Sequence, residues 1–157
     1  MRVKKAPKTY EVNDQYASVF LAGFTEMSAS PAQEKKVIAA LESRKGLILN
    51  PRRDDIDASW KASIDNEPFR AQVEWELGAL ELASLIFMYL SPEAQSPVTM
   101  ICFGMYAQTG KMVVCCPEGF WRKGNIEIVS SLYGVEVFTE LDPAIEELQN
   151  RVDHHEA

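Results

Sequence analysis

The chain has 157 residues, 46% hydrophobic and 25% charged, with a formal net charge of −7. That length suits a single domain, 1–157, with a core that needs neither disulfide nor metal staples. The acidic balance argues against nucleic acid as a partner, since neutralising phosphates takes a basic face. No run approaches the ~20 apolar residues that cross a bilayer, so no membrane partner is expected.

Residues 1–16 begin MRVKKAPKTY, basic with no apolar stretch behind, which reads as a ragged terminal arm and not a secretory signal. Five apolar runs follow: 18–22 (SVFLA), 46–49 (GLIL), 85–90 (LIFMYL), 112–116 (MVVCC) and 135–138 (VEVF). Their continuous apolarity predicts strands buried on both faces. Helices are predicted between them. Ser30, Pro31 and Gln33 form a capping-box pattern opening a helix to about residue 43. Asn66 can cap a long helix over 69–83, with Phe69, Val73, Leu77 and Leu80 as its buried stripe. Ser96 with Pro97, and Asp142 with Pro143, give two further starts, and a helix over 125–132 precedes the last strand.

The alternation βαβαβαβαβα predicts an α/β fold: a doubly wound, five-stranded parallel sheet of flavodoxin-like order with helices on both faces. Residues 153–157 (DHHEA) read as a solvated tail whose paired histidines hold no metal. No cofactor is expected. Three cysteines, two of them adjacent in an apolar run, fit free thiols in a reducing compartment, hence a cytoplasmic protein.

Ligands of an open parallel sheet lie beyond the carboxyl ends of its strands, which directs attention to the loops GFTEMS, NPRRDD and PEGFWRKGN. Arg52 and Arg53 could grip an anion through forked donors, or pair with Asp54, Asp55 and Asp57 and brace a long loop. Arg122 and Lys123 precede a helix start that also favours anions, with solvation as the competing account. Trp60 and Trp121 could stack on a base or pack their loops. Gln72 and Glu76 stand one turn apart on the same side of the long helix, whereas Arg70 and Glu74 make a surface pair. The helix after Ser96 is apolar nearly all round, which suggests burial at a subunit interface.

Four stretches, LILNPRRDD with Trp60 after it, FRAQVEWELGALELA, SPVTMICFGMYAQTGK and VVCCPEGFWRKGN, resemble the nucleoside 2-deoxyribosyltransferase-like family across residues 19–137. The resemblance implies a flavodoxin-like fold, a homodimer or higher homo-oligomer, and a pocket for a small-molecule (deoxy)nucleoside or nucleotide. Residues placed at that pocket are Gly23, Asn50, Arg52, Arg53, Trp60, Glu76, Ser96, Trp121, Lys123 and Asn125. It also implies chemistry at an N-glycosidic bond, in which a carboxylate captures an oxocarbenium-like sugar and other acids manage the leaving base.

Two departures stand out. Where the resemblance calls for an aspartate after ELA the chain has Ser84, and where it calls for the nucleophilic glutamate it has Cys102. Glu26 and Asp55 are the remaining acids to consider, and Glu76 is suited to orient the NPRR loop. Cys102 lies too deep in its helix to feel the terminus fully and reads as an inert thiol. The expectation is a nucleoside or nucleotide binder that either transfers or hydrolyses with a rearranged acid set or is catalytically silent.

Overall fold

The computed structural model describes residues 1–25 and 31–155. In chain order the elements are β1 (Arg2–Lys5), β2 (Ser18–Ala22), α1 (Pro31–Leu41), β3 (Leu47–Asn50), α2 (Glu67–Leu82), β4 (Leu85–Tyr89), α3 (Pro97–Tyr106), β5 (Met112–Cys115), α4 (Lys123–Tyr133), β6 (Val137–Phe138) and α5 (Leu141–Asp153). All strand pairs are parallel, in the order β1-β3-β2-β4-β5-β6. Without β1 this is the predicted flavodoxin-like order.

The strand count is the correction: six, not five. Arg2 to Lys5, expected in a ragged arm, pair in register with Leu47 to Asn50. A four-residue strand carrying three cations lacks the apolar signature of its neighbours, yet an edge position tolerates it and the charges discourage further pairing. Residues beyond β1 then run back across α2, where the Tyr10 ring meets Trp75 edge-on and the Trp75 indole donates to the Lys8 carbonyl.

β2, β3, β4 and β5 are buried throughout, and their side chains alternate between two cores. Phe20, Ile86, Met88 and Val114 pack against Leu80 of α2, Phe103 of α3 and Ile126 of α4. Val19, Leu21, Ile48, Phe87 and Val113 pack against Val37 and Leu41 of α1 and Leu148 of α5. The result is a three-layer sandwich, and no described helix is long and apolar enough to cross a membrane.

Helix starts follow their caps unevenly. Asn66 caps α2 as predicted, its Oδ1 accepting from the Phe69 amide at 3.0 Å. At α5 the cap position is Glu140, while Asp142 sits in the first turn and pairs with Lys36. Ser30 lies outside the described residues. The buried stripe of α2 is Ala79 and Leu80, whereas Leu77 is 39% exposed. Asp153, placed in the tail by the sequence reading, is the last residue of α5 and is gripped by the Arg44 fork at 2.7 and 2.8 Å.

Candidate functional site

β2 leads to β3 on one side and β4 to β5 on the other, so the switch point of the sheet lies between β2 and β4. A cleft opens at this place. Phe20, Ala22, Gly23 and Thr25 come from β2 and its loop, Pro51 follows β3, Glu76 projects from α2, and Val98, Thr99 and Cys102 come from α3. The cavity is about 40 Å³ in a single chain, far below the ~300 Å³ at which small-molecule pockets begin. Gly23 makes the close packing possible: at φ +88° a Cβ would stand 1.9 Å from the Tyr89 carbonyl oxygen.

Cys102 is half-buried on the cleft wall. Burial, and then the negative charge of Glu76, push its pKa up, so at neutral pH it is a thiol. Cys115 and Cys116 are buried deeper, and desolvation drives them to about 12 and about 11. None of the three is an activated nucleophile.

Two polar clusters hold the loops around the cleft. Gln72 Nε2 donates to the Pro51 carbonyl at 3.0 Å and to Glu76 Oε1 at 2.7 Å. Asn50, fully buried, donates through Nδ2 to Glu34 at 2.7 Å and accepts from the Arg52 amide at 2.9 Å. The Arg52 guanidinium completes this cluster by donating to Glu34 and to the Phe24 carbonyl, tying the loops after β2 and β3 together. Its partner is therefore Glu34, not the aspartates that follow it in sequence. A charge desolvated and paired in this way braces the wall.

Of the sequence-predicted site residues, the structure brings Gly23, Glu76 and Cys102 together in the cleft. Ser96 opens α3 beside them, in the left-handed region at φ 52°, and does not cap: its hydroxyl is buried with no hydrogen-bond partner. Arg53 is spent on a bidentate pair with Asp55 at 2.8 and 2.7 Å, and its guanidinium lies 4.9 Å from the Trp60 ring. Trp121 is 51% exposed, stacked on Arg122 and bonded to the Gln95 carbonyl at 2.8 Å. Lys123 ties the Cys116 carbonyl to Thr139, and Asn125 is exposed in the first turn of α4. Glu26 lies outside the described residues.

Ser84 immediately precedes β4, at the amino end of that strand. There it accepts from the Ser18 amide at 2.8 Å, donates to the Ser18 carbonyl at 3.0 Å, and gives its own amide to Ser18 Oγ at 2.9 Å. It is a stitch between β2 and β4, and it is not among the residues that line the cleft. Pro51, Val98 and Thr99 were missed by the sequence reading. The spacing Ser96, Thr99, Cys102 was the available signal for Thr99, because residues three apart share a helix face.

A larger cavity, about 470 Å³, lies at the amino end of the sheet among Tyr16, Arg44, Lys45 and Leu47. Two of its cations are engaged, Arg44 by Asp153 and Lys45 over the Tyr16 ring. It is also at the wrong end of a parallel sheet for the usual ligand.

No curated protein matches the chain. A conserved protein of Enterococcus faecalis V583 has the same fold, with a TM-score of 0.63 and 12% identity over 87% of this chain and 99% of that one. The CMP N-glycosidase BcmB of Clostridium botulinum superposes with a TM-score of 0.53 and 18% identity, over 85% of this chain and 98% of that one. The family model described as nucleoside 2-deoxyribosyltransferase like matches residues 16–120, from just before β2 through the loop after β5, and by that match the chain belongs to this family.

Proposed function

We propose that this protein binds a nucleoside or nucleotide in the cleft between the carboxyl ends of β2 and β4, in the cytosol, and leaves the N-glycosidic bond intact. The observation that carries this reading is Cys102, a neutral thiol where the family resemblance calls for a nucleophilic carboxylate. Capturing an anomeric carbon takes a nucleophile that can attack and then leave. A protonated thiol attacks poorly, and a sulfur-linked sugar resists expulsion because sulfur accepts a proton reluctantly. Glu76 on the cleft wall is suited to accept a hydrogen bond from a sugar hydroxyl or a base N–H. Ser96, with a buried hydroxyl lacking a partner at the positive end of α3, is suited to a ligand hydroxyl or phosphate oxygen.

A second reading, turnover of the bond, rests on Glu76 as a carboxylate beside Cys102. Calorimetry with deoxycytidine and CMP, together with chromatography for free base, separates the two. The expected result is binding heat without base release in the parent, and release appearing in Cys102→Glu. Base release by the parent, abolished in Glu76→Gln, would establish the second reading. No heat with any nucleoside or nucleotide would defeat both.

The same reading includes a homo-oligomer. α3 carries no charged residue, and Val98, Ile101 and Met105 stand 56%, 63% and 53% exposed along one side. A second copy seated there would cover the stripe and wall the cleft at Val98. Sedimentation as a monomer at micromolar concentration would count against it.

A further inference from the structure

One amide on α2 joins two walls of the cleft. Gln72 Nε2 reaches the Pro51 carbonyl at 3.0 Å and Glu76 Oε1 at 2.7 Å, and both acceptors belong to cleft-lining residues. A carbonyl and a carboxylate can only accept, so the nitrogen must face them; the reverse orientation would set the Gln72 oxygen against two other oxygens. That choice has a cost. Gln72 Oε1 is left buried with no hydrogen-bond partner, a condition buried side-chain oxygens seldom show. The bond pattern is satisfied at the cleft and unsatisfied behind it.

We infer that Gln72 is a positioning residue for the cleft, holding the Glu76 carboxylate and the loop after β3 in fixed relation so that both meet the ligand together. This rests on the nucleotide-binding reading for what the ligand is, but the positioning itself is a property of the unliganded protein. Gln72 is neutral, and its N–H favours the ionised form of Glu76. Cys102, across the cleft on α3, feels the Glu76 charge. It remains a thiol on the acid side of neutrality and so adds no charge change of its own to an acid titration.

The test replaces Gln72 by side chains of similar volume that cannot donate, Gln72→Leu and Gln72→Met. The Glu76 carboxyl carbon is followed by NMR during acid titration, with Glu76→Gln as the assignment control, and CMP affinity and Tm are measured alongside. The expected result is an upward move of the Glu76 midpoint and CMP binding weakened about tenfold, the scale of one hydrogen bond to a charged group. Tm at neutral pH should fall modestly, because the Pro51 carbonyl and the ionised Glu76 carboxylate lose their donor, a loss only partly offset by removal of the unsatisfied oxygen. A merely structural glutamine would also lower Tm but leave the midpoint in place. An unmoved midpoint in both variants overturns the inference whatever CMP does. If the midpoint moves and no nucleoside or CMP binds the parent, the positioning stands and the nucleotide reading falls.

Discussion

At the amino end of the sheet, Ser18 and Ser84 exchange hydrogen bonds through amides, hydroxyls and a carbonyl, all between 2.8 and 3.0 Å. At the carboxyl end, Ser96 is buried more deeply than Ser84, sits in a left-handed conformation that L residues avoid, and leaves its hydroxyl without a partner. Both serines join a central strand to a helix, yet one completes its polar contacts internally and the other carries backbone strain and an unmet hydrogen bond. Such a cost is reasonable where something arrives from outside to meet it. On the proposed nucleotide-binding reading, the Ser84 end is architecture and the Ser96 end meets the ligand.

The largest effect expected from breaking this contrast comes at Gly23. Gly23→Ala forces a Cβ to within 1.9 Å of the Tyr89 carbonyl oxygen at φ +88°, and chemical denaturation should show a loss of about 3 kcal/mol or more. A loss below about 1 kcal/mol would mean that β2 and β4 do not approach this closely at the cleft. Ser84→Ala comes next. Removing this hydroxyl strands the buried Ser18 amide, so stability should fall by about 1–3 kcal/mol while CMP affinity stays unchanged. Ser84→Asp should destabilise as well, and it should release no base by itself and add nothing to the release expected of Cys102→Glu, because the new acid would lie at the amino end of β4.

How much of this was legible beforehand differs from element to element. Continuous runs such as SVFLA and LIFMY announced the buried strands because two covered faces leave no position for a polar side chain. β1 was invisible for the opposite reason: an edge strand of Arg, Val, Lys and Lys pairs through its backbone and shows little of this in its side chains. The position of Ser84 could have been read, since a residue that precedes a strand must lie at its amino end. Cys102 was singled out by resemblance, and the structure adds that it faces Glu76. The Arg52–Glu34 pair could not have been found by scanning neighbours, because its members are 18 residues apart and meet only when the loops after β2 and β3 converge. Gln72 was noticed for its helical spacing from Glu76, but its bond to Pro51 depends on where the loop after β3 returns to α2.

The smallest expected change in stability, and the one that most sharpens the contrast, is Ser96→Ala. The hydroxyl makes no hydrogen bond in the unliganded chain, and alanine tolerates φ 52° about as poorly as serine does, so no native contact is lost and no strain is relieved. Denaturation should shift by no more than about 0.5 kcal/mol in either direction. CMP affinity should nevertheless fall by about fivefold to tenfold, because the ligand loses the hydrogen bond that the buried hydroxyl was waiting to make. The two serines should therefore swap signatures: Ser84→Ala costs stability and spares binding, whereas Ser96→Ala spares stability and costs binding. If Ser96→Ala instead destabilises as much as Ser84→Ala, the hydroxyl is bonded within the chain, and the carboxyl end loses its claim to be the open one.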